Sequence, residues 1–205
     1  MENCNSIWLP SLTERYELIK TLEKSIRAPI NIFNAIDGMN YRDQYLDYRH
    51  ILSRQIINPG IIGCTLSHLE LLKNMDSDYI IIFEDDCTFH GELAELHSFI
   101  REAPEFDILC LGTSETVESK PVGNRYLQIF RFWGTHALIV KKKAALKIIE
   151  TFNTYCKYKI FLPADWLYSI AIKDNSLIAY APINNREFFD YKRGLYSAVA
   201  NSIRY

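Results

Sequence analysis

The stretch of residues 79–88, Tyr-Ile-Ile-Ile-Phe-Glu-Asp-Asp-Cys-Thr, constrains the fold of this chain more than any other. Its large apolar residues, 80–83, run directly into three acids. A short unbroken apolar run predicts a strand that is buried on both faces, as in the parallel sheets of α/β proteins. Ligands bind beyond the carboxyl ends of such strands. The sequence therefore predicts that Glu84, Asp85 and Asp86 lie at a ligand site.

The three adjacent carboxylates repel one another at neutral pH, and a nearby cation or other partner relieves that repulsion. Hard oxygen ligands suit Mg²⁺ or Mn²⁺, and these ions in turn bridge diphosphates. The alternative is that the acids are solvated residues that end a strand before a turn. Both interpretations stay open on this stretch alone, although its place at a strand end favours a metal.

Segments typical of strands and helices alternate along the rest of the chain. Strands are predicted at residues 6–9, 30–35, 80–83, 106–111, 126–132, 137–140 and 177–181, and helices at 13–25, 66–75, 93–100, 144–152 and, after Asp165, up to residue 172. Residues 41–54 are predicted to form a surface region or a ligand-facing loop, and residues 114–124 a mobile loop. The alternation predicts an α/β fold whose mostly parallel sheet is flanked by helices. The length of 205 residues predicts a single domain over residues 1–205.

The composition excludes several classes of protein. A formal net charge of −2 gives no reason to expect a nucleic acid partner. The five cysteines include no Cys-x-x-Cys pair, which argues against a zinc site and fits a reducing compartment. The sequence shows neither a signal peptide nor an apolar stretch long enough to span a membrane. The predicted location is therefore the cytoplasm, with a peripheral position at a membrane face as the alternative.

Six blocks of sequence, taken together, carry a resemblance to a known family. They are Leu-Pro through Arg15 at residues 9–15, Phe-Asn-Ala-Ile-Asp-Gly at 33–38, Gly-Ile-Ile-Gly-Cys-Thr-Leu-Ser-His at 60–68, Ile-Ile-Phe-Glu-Asp-Asp at 81–86, Gly-Thr-His-Ala-Leu-Ile-Val at 134–140 and Pro-Ala-Asp-Trp-Leu at 163–167. In this order the blocks resemble glycosyltransferase family 25, whose members include bacterial lipo-oligosaccharide galactosyltransferases and the collagen galactosyltransferases. The block at 60–68 is the most specific, because it is similar to the family's Gly-x-x-Gly-Cys-x-x-Ser-His pattern.

The resemblance implies an inverting transferase with the nucleotide-diphospho-sugar transferase (GT-A) fold. The expected reaction moves a hexose, galactose or as the alternative glucose, from a UDP-sugar to a hydroxyl of a glycan or glycoconjugate acceptor. The expected cofactor is Mn²⁺ or Mg²⁺, which would neutralise the charge of the leaving diphosphate. The acid triplet would be the counterpart of an Asp-x-Asp motif, with Asp86 and Glu84 as metal ligands and with Glu84 and Asp85 close to the donor.

The resemblance also implies site residues outside the triplet. Asp165 is the expected base for the proton of the acceptor hydroxyl, with capping of the following helix as its alternative role. His136 is the next candidate for the base. The other expected donor contacts are Arg15, Asp37, Ser67 and His68, and the expected acceptor contacts are Thr135 and Trp166. Structural alternatives are a contact with an exposed carboxylate for Arg15, a turn for Asp37, a bond to the helix backbone for Ser67 and core packing for Trp166.

Two other functions are compatible with acids that follow a buried strand. A phosphatase of the haloacid-dehalogenase type requires an Asp-x-Asp pattern, and Glu84 at the first position is a poor replacement for its nucleophile. An inactive domain that binds a sugar nucleotide or a partner is the second alternative, and the presence of all three acids argues against it. The sequence therefore favours the transferase.

Overall fold

A computed structural model of the protein describes residues 1–8, 13–51, 57–184 and 186–191. Its strands are β1 (Cys4–Trp8), β2 (Asn31–Asn34), β3 (Arg49–His50), β4 (Tyr79–Glu84), β5 (Cys87–Phe89), β6 (Ile108–Gly112), β7 (Glu115–Val122), β8 (Tyr126–Trp133), β9 (Ala137–Lys141), β10 (Ile160–Phe161), β11 (Ala179–Pro182) and β12 (Phe189–Tyr191). Its α-helices are α1 (Thr13–Ile26), α2 (Pro59–Lys73), α3 (Leu93–Glu102), α4 (Lys142–Lys157) and α5 (Ala164–Asp174). Two short 3₁₀ helices, Gly38–Tyr41 and Asp43–Tyr45, follow β2.

Eight of the strands form one central sheet in the order β2-β1-β4-β9-β6-β11-β8-β7. Strands β2, β1 and β4 are parallel to one another, as are β6 and β11. Strands β9 and β8 are antiparallel to their neighbours on both sides. Six of the eight strands therefore share a direction, and the predicted α/β fold is confirmed. The sheet is mixed, because the two reversed strands make four of the seven neighbouring pairs antiparallel.

Strand β4 is buried on both faces, as its apolar run predicts. Ile80 and Ile82 belong to one core, together with residues of α2, α4 and α5. Ile81 and Phe83 belong to a second core, together with residues of α1 and α3. This division follows from the two-residue period of a strand. Helices therefore cover both faces of the sheet, and the acid triplet follows the strand that both cores share.

The prediction of a mobile loop at residues 114–124 is wrong, because β7 pairs with β8 at the edge of the sheet. An edge strand is held by backbone hydrogen bonds on one side only and can leave its side chains in water. Most side chains of β7 are exposed or half-buried accordingly. Pro121 also fits an edge, since proline has no backbone N–H to donate. The polar sequence of an edge strand therefore looks like that of a loop.

The turn after β2 packs tightly against helix α2. A Cβ atom on Gly38 would lie 1.9 Å from the backbone oxygen of Pro59, and one on Gly63 would lie 2.5 Å from that of Ile36. The turn at Gly38 and the start of α2 at Gly63 therefore pack backbone against backbone, which requires glycine in both segments. This contact fixes the position of α2, whose His68 lies 3.9 Å from the end of β4 at Glu84.

Parts of two predicted segments lie outside the described residues. They are the end of the first predicted strand at Leu9 and residues 52–54 of the predicted surface segment. The described part of that segment forms 3₁₀ turns and strand β3, which pairs with β10. Within the described parts of the chain, we find no helix with both the length and the apolar character needed to cross a membrane.

Candidate functional site

The acid triplet begins at the carboxyl end of β4, and the register of the sheet brings a histidine beside it. Strand β9 is antiparallel to β4 and starts at the same edge, because Ala137 pairs with Phe83. The backbone N–H of Glu84 donates to the carbonyl of His136 at 3.0 Å. The short connection before β9 therefore belongs to the same site as the acids.

Glu84 is the centre of a hydrogen-bond network. Thr135 Oγ1 donates to Glu84 Oε1 at 2.5 Å, and His136 Nδ1 lies 3.1 Å from Glu84 Oε2. His68 Nε2 is 3.9 Å from Oε1, and the other ring nitrogen of His68 lies 3.1 Å from the hydroxyl of Tyr168. Burial acts to raise the pKa of Glu84, but the hydrogen bond and charge of His136, together with the nearby imidazole of His68, outweigh it and hold this pKa well below its usual range. Glu84 is therefore ionised at neutral pH.

Asp86 is in the opposite situation. Burial and the charge of Glu84 raise its pKa to about 6, with a further contribution from Asp85 and with Arg15 acting against the shift. Asp86 Oδ1 is buried and has no hydrogen-bond partner among the described residues. A buried polar atom without a partner is unfavourable. A bound cation would supply the partner that this oxygen lacks.

His136 is held from several sides. Its Nε2 lies 2.9 Å from Ser114 Oγ, and its ring centre is 4.9 Å from that of Tyr191. Gly134 makes this packing possible: it has a φ of 75°, and a Cβ there would lie 2.5 Å from Ser114 Oγ. Burial acts to lower the pKa of His136, but the hydrogen bond and the charge of Glu84 outweigh it and raise this pKa.

Two groups of side chains among the described residues could hold a metal ion, with ligand atoms within 4.8 Å of one another. The first consists of Glu84, Asp86 and His136, and the second of Cys64, His68 and Glu84. Carboxylates with an imidazole suit Mn²⁺, and the carboxylates also suit Mg²⁺. In the second group, burial and nearby acids raise the pKa of the Cys64 thiol well above its usual range, so the thiol is protonated and a poor ligand.

The first group therefore fits the expected cation better. It contains both ligands predicted from the sequence, Asp86 and Glu84, and one of them has the buried oxygen without a partner. The third donor, His136, was expected only as a base. His136 precedes β9 and reaches the acid triplet because β9 pairs with β4. The sequence around the triplet therefore could not predict it as a metal ligand.

Asp85 and Arg15, both expected to contact the donor, contact each other. Arg15 Nη1 donates to Asp85 Oδ1 in an ion pair whose side chains are 8% and 7% exposed. Arg15 Nη1 also lies 3.7 Å from Asp86 Oδ2. The pair ties α1 to the acid triplet. Arg15 thus contacts a carboxylate, as its alternative role predicted, but this carboxylate is buried rather than exposed. Donor contacts by these two residues stay predictions.

Two other expected donor contacts have structural partners. Ser67 is fully buried, and its hydroxyl donates to the carbonyl of Gly63 at 2.6 Å and accepts the N–H of Ile36 at 2.8 Å. Asp37 is exposed and accepts the N–H of Met39 at 2.9 Å, which caps the first 3₁₀ helix. Both arrangements match the structural alternatives for these residues. Donor contacts by Ser67 and Asp37 stay predictions.

Asp165 is the second residue of α5, whereas the sequence placed it before the helix. Its Oδ1 accepts the N–H of Trp166 at 2.8 Å, and its carboxylate also accepts the N–H of Gly134. Burial raises the pKa of Asp165, and the charge of Glu84 adds to the shift. The side chain therefore stabilises the first turn of α5 and also lies within electrostatic reach of the acid triplet, so both predicted roles stay open.

The two expected acceptor contacts differ in their exposure. Thr135 is buried with its hydroxyl on Glu84, so it positions that carboxylate. Trp166 is half-buried, and its ring centre lies 5.1 Å from that of Trp133. The guanidinium of Arg131 lies 5.5 Å from both tryptophan rings. Acceptor contacts by Thr135 and Trp166 stay predictions.

Other residues at the site were not predicted from the sequence. Ser114 follows the carboxyl end of β6, and that position was a usable signal once a parallel sheet was expected. Tyr191 has no comparable signal, because it arrives through the pairing of β12 with β5, a contact between distant parts of the chain. Trp133 and Arg131 lie near Trp166 because β8 packs on α5, where Ser169 Oγ accepts the N–H of Phe132 at 3.3 Å.

Comparisons with known proteins agree with this architecture. A family model described as glycosyltransferase family 25 (LPS biosynthesis protein) matches residues 5–120, which is more than half of the chain. No curated protein matches the chain in sequence.

Solved structures show weaker likenesses. Mouse xyloside xylosyltransferase 1 in its apo form is 9% identical with a TM-score of 0.46, and the match covers 85% of this chain and 69% of that one. TarS 1–349 of S. aureus in complex with UDP-GlcNAc is 12% identical with a TM-score of 0.47, covering 95% of this chain and 59% of that one. Similarity at this level carries no information about a shared substrate.

Proposed function

Because the chain belongs to glycosyltransferase family 25 and has the GT-A fold, we propose that it transfers a hexose from a UDP-sugar to a hydroxyl of a glycan or glycoconjugate acceptor, with inversion at the sugar carbon. Galactose is the proposed sugar and glucose the alternative. The observation that carries the proposal is the convergence of Glu84, Asp86 and His136 at the end of β4, with Asp165 within their electrostatic reach.

The donor is proposed to bind where these three side chains meet. Glu84, Asp86 and His136 would hold Mn²⁺ or Mg²⁺, with the buried Asp86 Oδ1 as a free ligand atom. Such a cation, when bound, neutralises charge on the diphosphate leaving group. Thr135 fixes the orientation of the Glu84 carboxylate, and the pair of Arg15 and Asp85 anchors the following turn. The chain thus supplies a preorganised set of ligands.

Asp165 is proposed to remove the proton of the acceptor hydroxyl. Burial raises its pKa, which makes the carboxylate a stronger base than a solvated aspartate. Two backbone N–H groups, of Trp166 and Gly134, fix its orientation. His136 is less suited to this task, because it lies among the proposed metal ligands, with Glu84 and Asp86. As the hydroxyl oxygen bonds to the sugar carbon, its proton passes to Asp165 and the bond to the UDP oxygen breaks.

A panel of nucleotide sugars tests the proposal through both binding and transfer. UDP-galactose or UDP-glucose with Mn²⁺, at 100 times the dissociation constant, should stabilise the protein by about 2.7 kcal/mol. For a chain of this size that is a rise in Tm of about 5–10 °C. The Asp86→Asn variant should fold and lose transfer by about 10²–10³-fold, as expected when one electrostatic element of a site is removed.

The matched control is Asp76→Asn, an exposed aspartate on the turn before β4. It should behave like the wild-type protein. Full transfer by Asp86→Asn, or by the wild-type protein in excess chelator, would rule out the metal-assisted mechanism. Donor binding without transfer to any hydroxyl acceptor would identify an inactive sugar-nucleotide-binding domain instead.

A further inference from the structure

One arginine and two tryptophans, one of which follows the proposed base in sequence, form a half-buried cluster of packed side chains, here called the Arg131 cleft. It consists of Arg131, Trp133 and Trp166. The guanidinium carbon of Arg131 lies 5.5 Å from each ring centre, and the two rings are tilted by 57° to each other. Aromatic faces pack well against sugar rings and cations. The cleft therefore combines a surface for a sugar with a fixed positive charge.

The charge of Arg131 has no acidic partner within 4.0 Å among the described residues, unlike that of Arg15, Arg125 or Arg186. The residue opposite Arg131 in the ladder is Glu118, but its carboxylate pairs with Lys173 at 2.6 Å.

The Nε atom of Arg131 is also buried without a hydrogen-bond partner. A buried hydrogen-bond donor without a partner is unfavourable. A guanidinium held in this way is suited to a carboxylate or a phosphate, which it binds with two parallel hydrogen bonds. The missing partner is therefore expected to be an anion.

The position of the cleft connects that anion to the reaction. Trp166 follows Asp165 directly, and Gly134, which follows Trp133, donates its N–H to the Asp165 carboxylate. A sugar that places a hydroxyl on Asp165 would thus have the Arg131 cleft beside it. The neighbouring donor side is negatively charged, so an anionic group on the acceptor gains from facing Arg131 and away from Glu84.

We infer that the Arg131 cleft is an acceptor subsite that selects a sugar carrying a carboxylate or phosphate group close to the accepting hydroxyl. This inference rests on the proposed function and adds the chemical class of the acceptor. The tryptophan rings contact the faces of the sugar, and Arg131 binds the anion. Neutral sugars of the same shape bind more weakly, because they leave the arginine unpaired.

Three probes that differ only at carbon 6 test this subsite: methyl glucoside, methyl glucuronide and methyl glucoside 6-phosphate. Their affinities are measured by ligand-observed NMR on the full chain with saturating UDP and Mn²⁺, conditions under which no transfer occurs. At least one anionic probe should bind about tenfold or more tightly than the neutral one, the size expected for a charge-assisted hydrogen bond. The carboxylate and phosphate arms show which anion is preferred.

Variants identify the source of the preference. Arg131→Gln should remove the preference for the anion, and Arg131→Lys should keep part of it, because lysine retains the charge but not the planar fork. The control is Arg125→Gln, since Arg125 lies just before the same strand and pairs with Glu102 at 2.7 Å, apart from the cleft. It should leave the preference unchanged.

Three results would overturn the inference: equal affinity for charged and neutral probes, a preference that survives in Arg131→Gln, or no binding of any probe at 50 times the concentration needed by UDP. The rise in Tm with UDP and Mn²⁺ is measured on the same samples. A normal rise together with no anion preference would contradict the subsite and leave the proposed donor site standing. A missing rise would contradict the proposed function itself.

Discussion

On the donor side of the site, the carboxylates of Glu84 and Asp86 are crowded together with His136, with ligand atoms within 4.8 Å of one another. On the acceptor side, Arg131 is flanked by two tryptophan rings and forms no ion pair within 4.0 Å among the described residues, because Glu118 opposite it pairs with Lys173. Each side has a buried polar atom without a partner, an acceptor in Asp86 and a donor in Arg131. We therefore expect the donor side to bind a cation and the acceptor side to bind an anion.

The donor side also shows how neighbouring acids can differ. His136 and His68 lie beside Glu84 and hold its pKa low despite burial. The same negative charge then acts on Asp86, whose pKa rises to about 6. One carboxylate of the pair is therefore a fixed anion, and the other is a group whose charge depends on what binds next to it.

The largest expected effect is the loss of transfer when Asp165, on the acceptor side, is replaced. Asp165→Asn keeps the shape of the side chain and its oxygen for the N–H of Trp166, but it cannot take a proton. If Asp165 is the base, transfer should fall by about 10²–10⁴-fold, while the rise in Tm with UDP-sugar and Mn²⁺ is unchanged. Steady-state transfer rates and thermal shifts on the same variant check this.

A second variant distinguishes the base from a residue that only stabilises the helix. Asp165→Ala should lose about 1 kcal/mol of unfolding free energy as well as activity, because the first turn of α5 loses an acceptor. If the Asp165→Asn protein has wild-type activity, the base does not lie on the acceptor side. His136, on the donor side, would then be the next candidate for the base.

A smaller effect concerns the stability of the metal-free protein. The pKa of Asp86 is about 6 in the folded chain, against about 3.9 for an ordinary solvated aspartate. Since the folded state binds this proton more tightly, the stabilisation is fully present below about pH 4 and is lost as the pH rises through about 6. Asparagine does not ionise, so the Asp86→Asn variant does not lose this stability as the pH rises. At pH 7.5 its free energy of unfolding should exceed that of the wild-type protein by about 1–3 kcal/mol.

Urea unfolding in excess chelator at pH 4.5 and pH 7.5 measures this difference, with Asp76→Asn as the control. The gain should appear mainly at the higher pH, and saturating Mn²⁺ should reduce it by stabilising only the wild-type protein. If the variant is equally stable or less stable at pH 7.5, the negative charge of Glu84 does not destabilise ionised Asp86, and this account of the donor side is wrong.

Much of this fold was predictable from local patterns, whereas the partners in the site were less so. The apolar run of β4 predicts burial on both faces, and Ile80 and Ile81 do belong to different cores. The edge strand β7 was missed because backbone pairing needs no apolar side chains. The contact of His136 with Glu84 depends on the register of β9, which no short segment of sequence determines.

The smallest expected effect is that of replacing Ser67, which tests whether the donor side extends into helix α2. Ser67 lies in the most specific sequence block, yet its hydroxyl is buried between the carbonyl of Gly63 and the N–H of Ile36. Ser67→Ala should therefore lower the free energy of unfolding by about 1–2 kcal/mol, because the N–H of Ile36 loses its partner. Donor affinity, measured as the rise in Tm with UDP-sugar, should stay the same.

The control for this variant is Ser25→Ala. Ser25 makes the same type of bond to the carbonyl four residues earlier, at 2.9 Å, but it is exposed on α1 and accepts no N–H in any described contact. Its loss should change stability by less than about 0.5 kcal/mol. If Ser67→Ala instead weakens donor binding while leaving stability at the level of Ser25→Ala, the donor side extends into α2 and Ser67 contacts the donor as the resemblance implies. If stability alone changes, the residue acts by joining the turn after β2 to α2, and the donor side begins at His68 and Glu84.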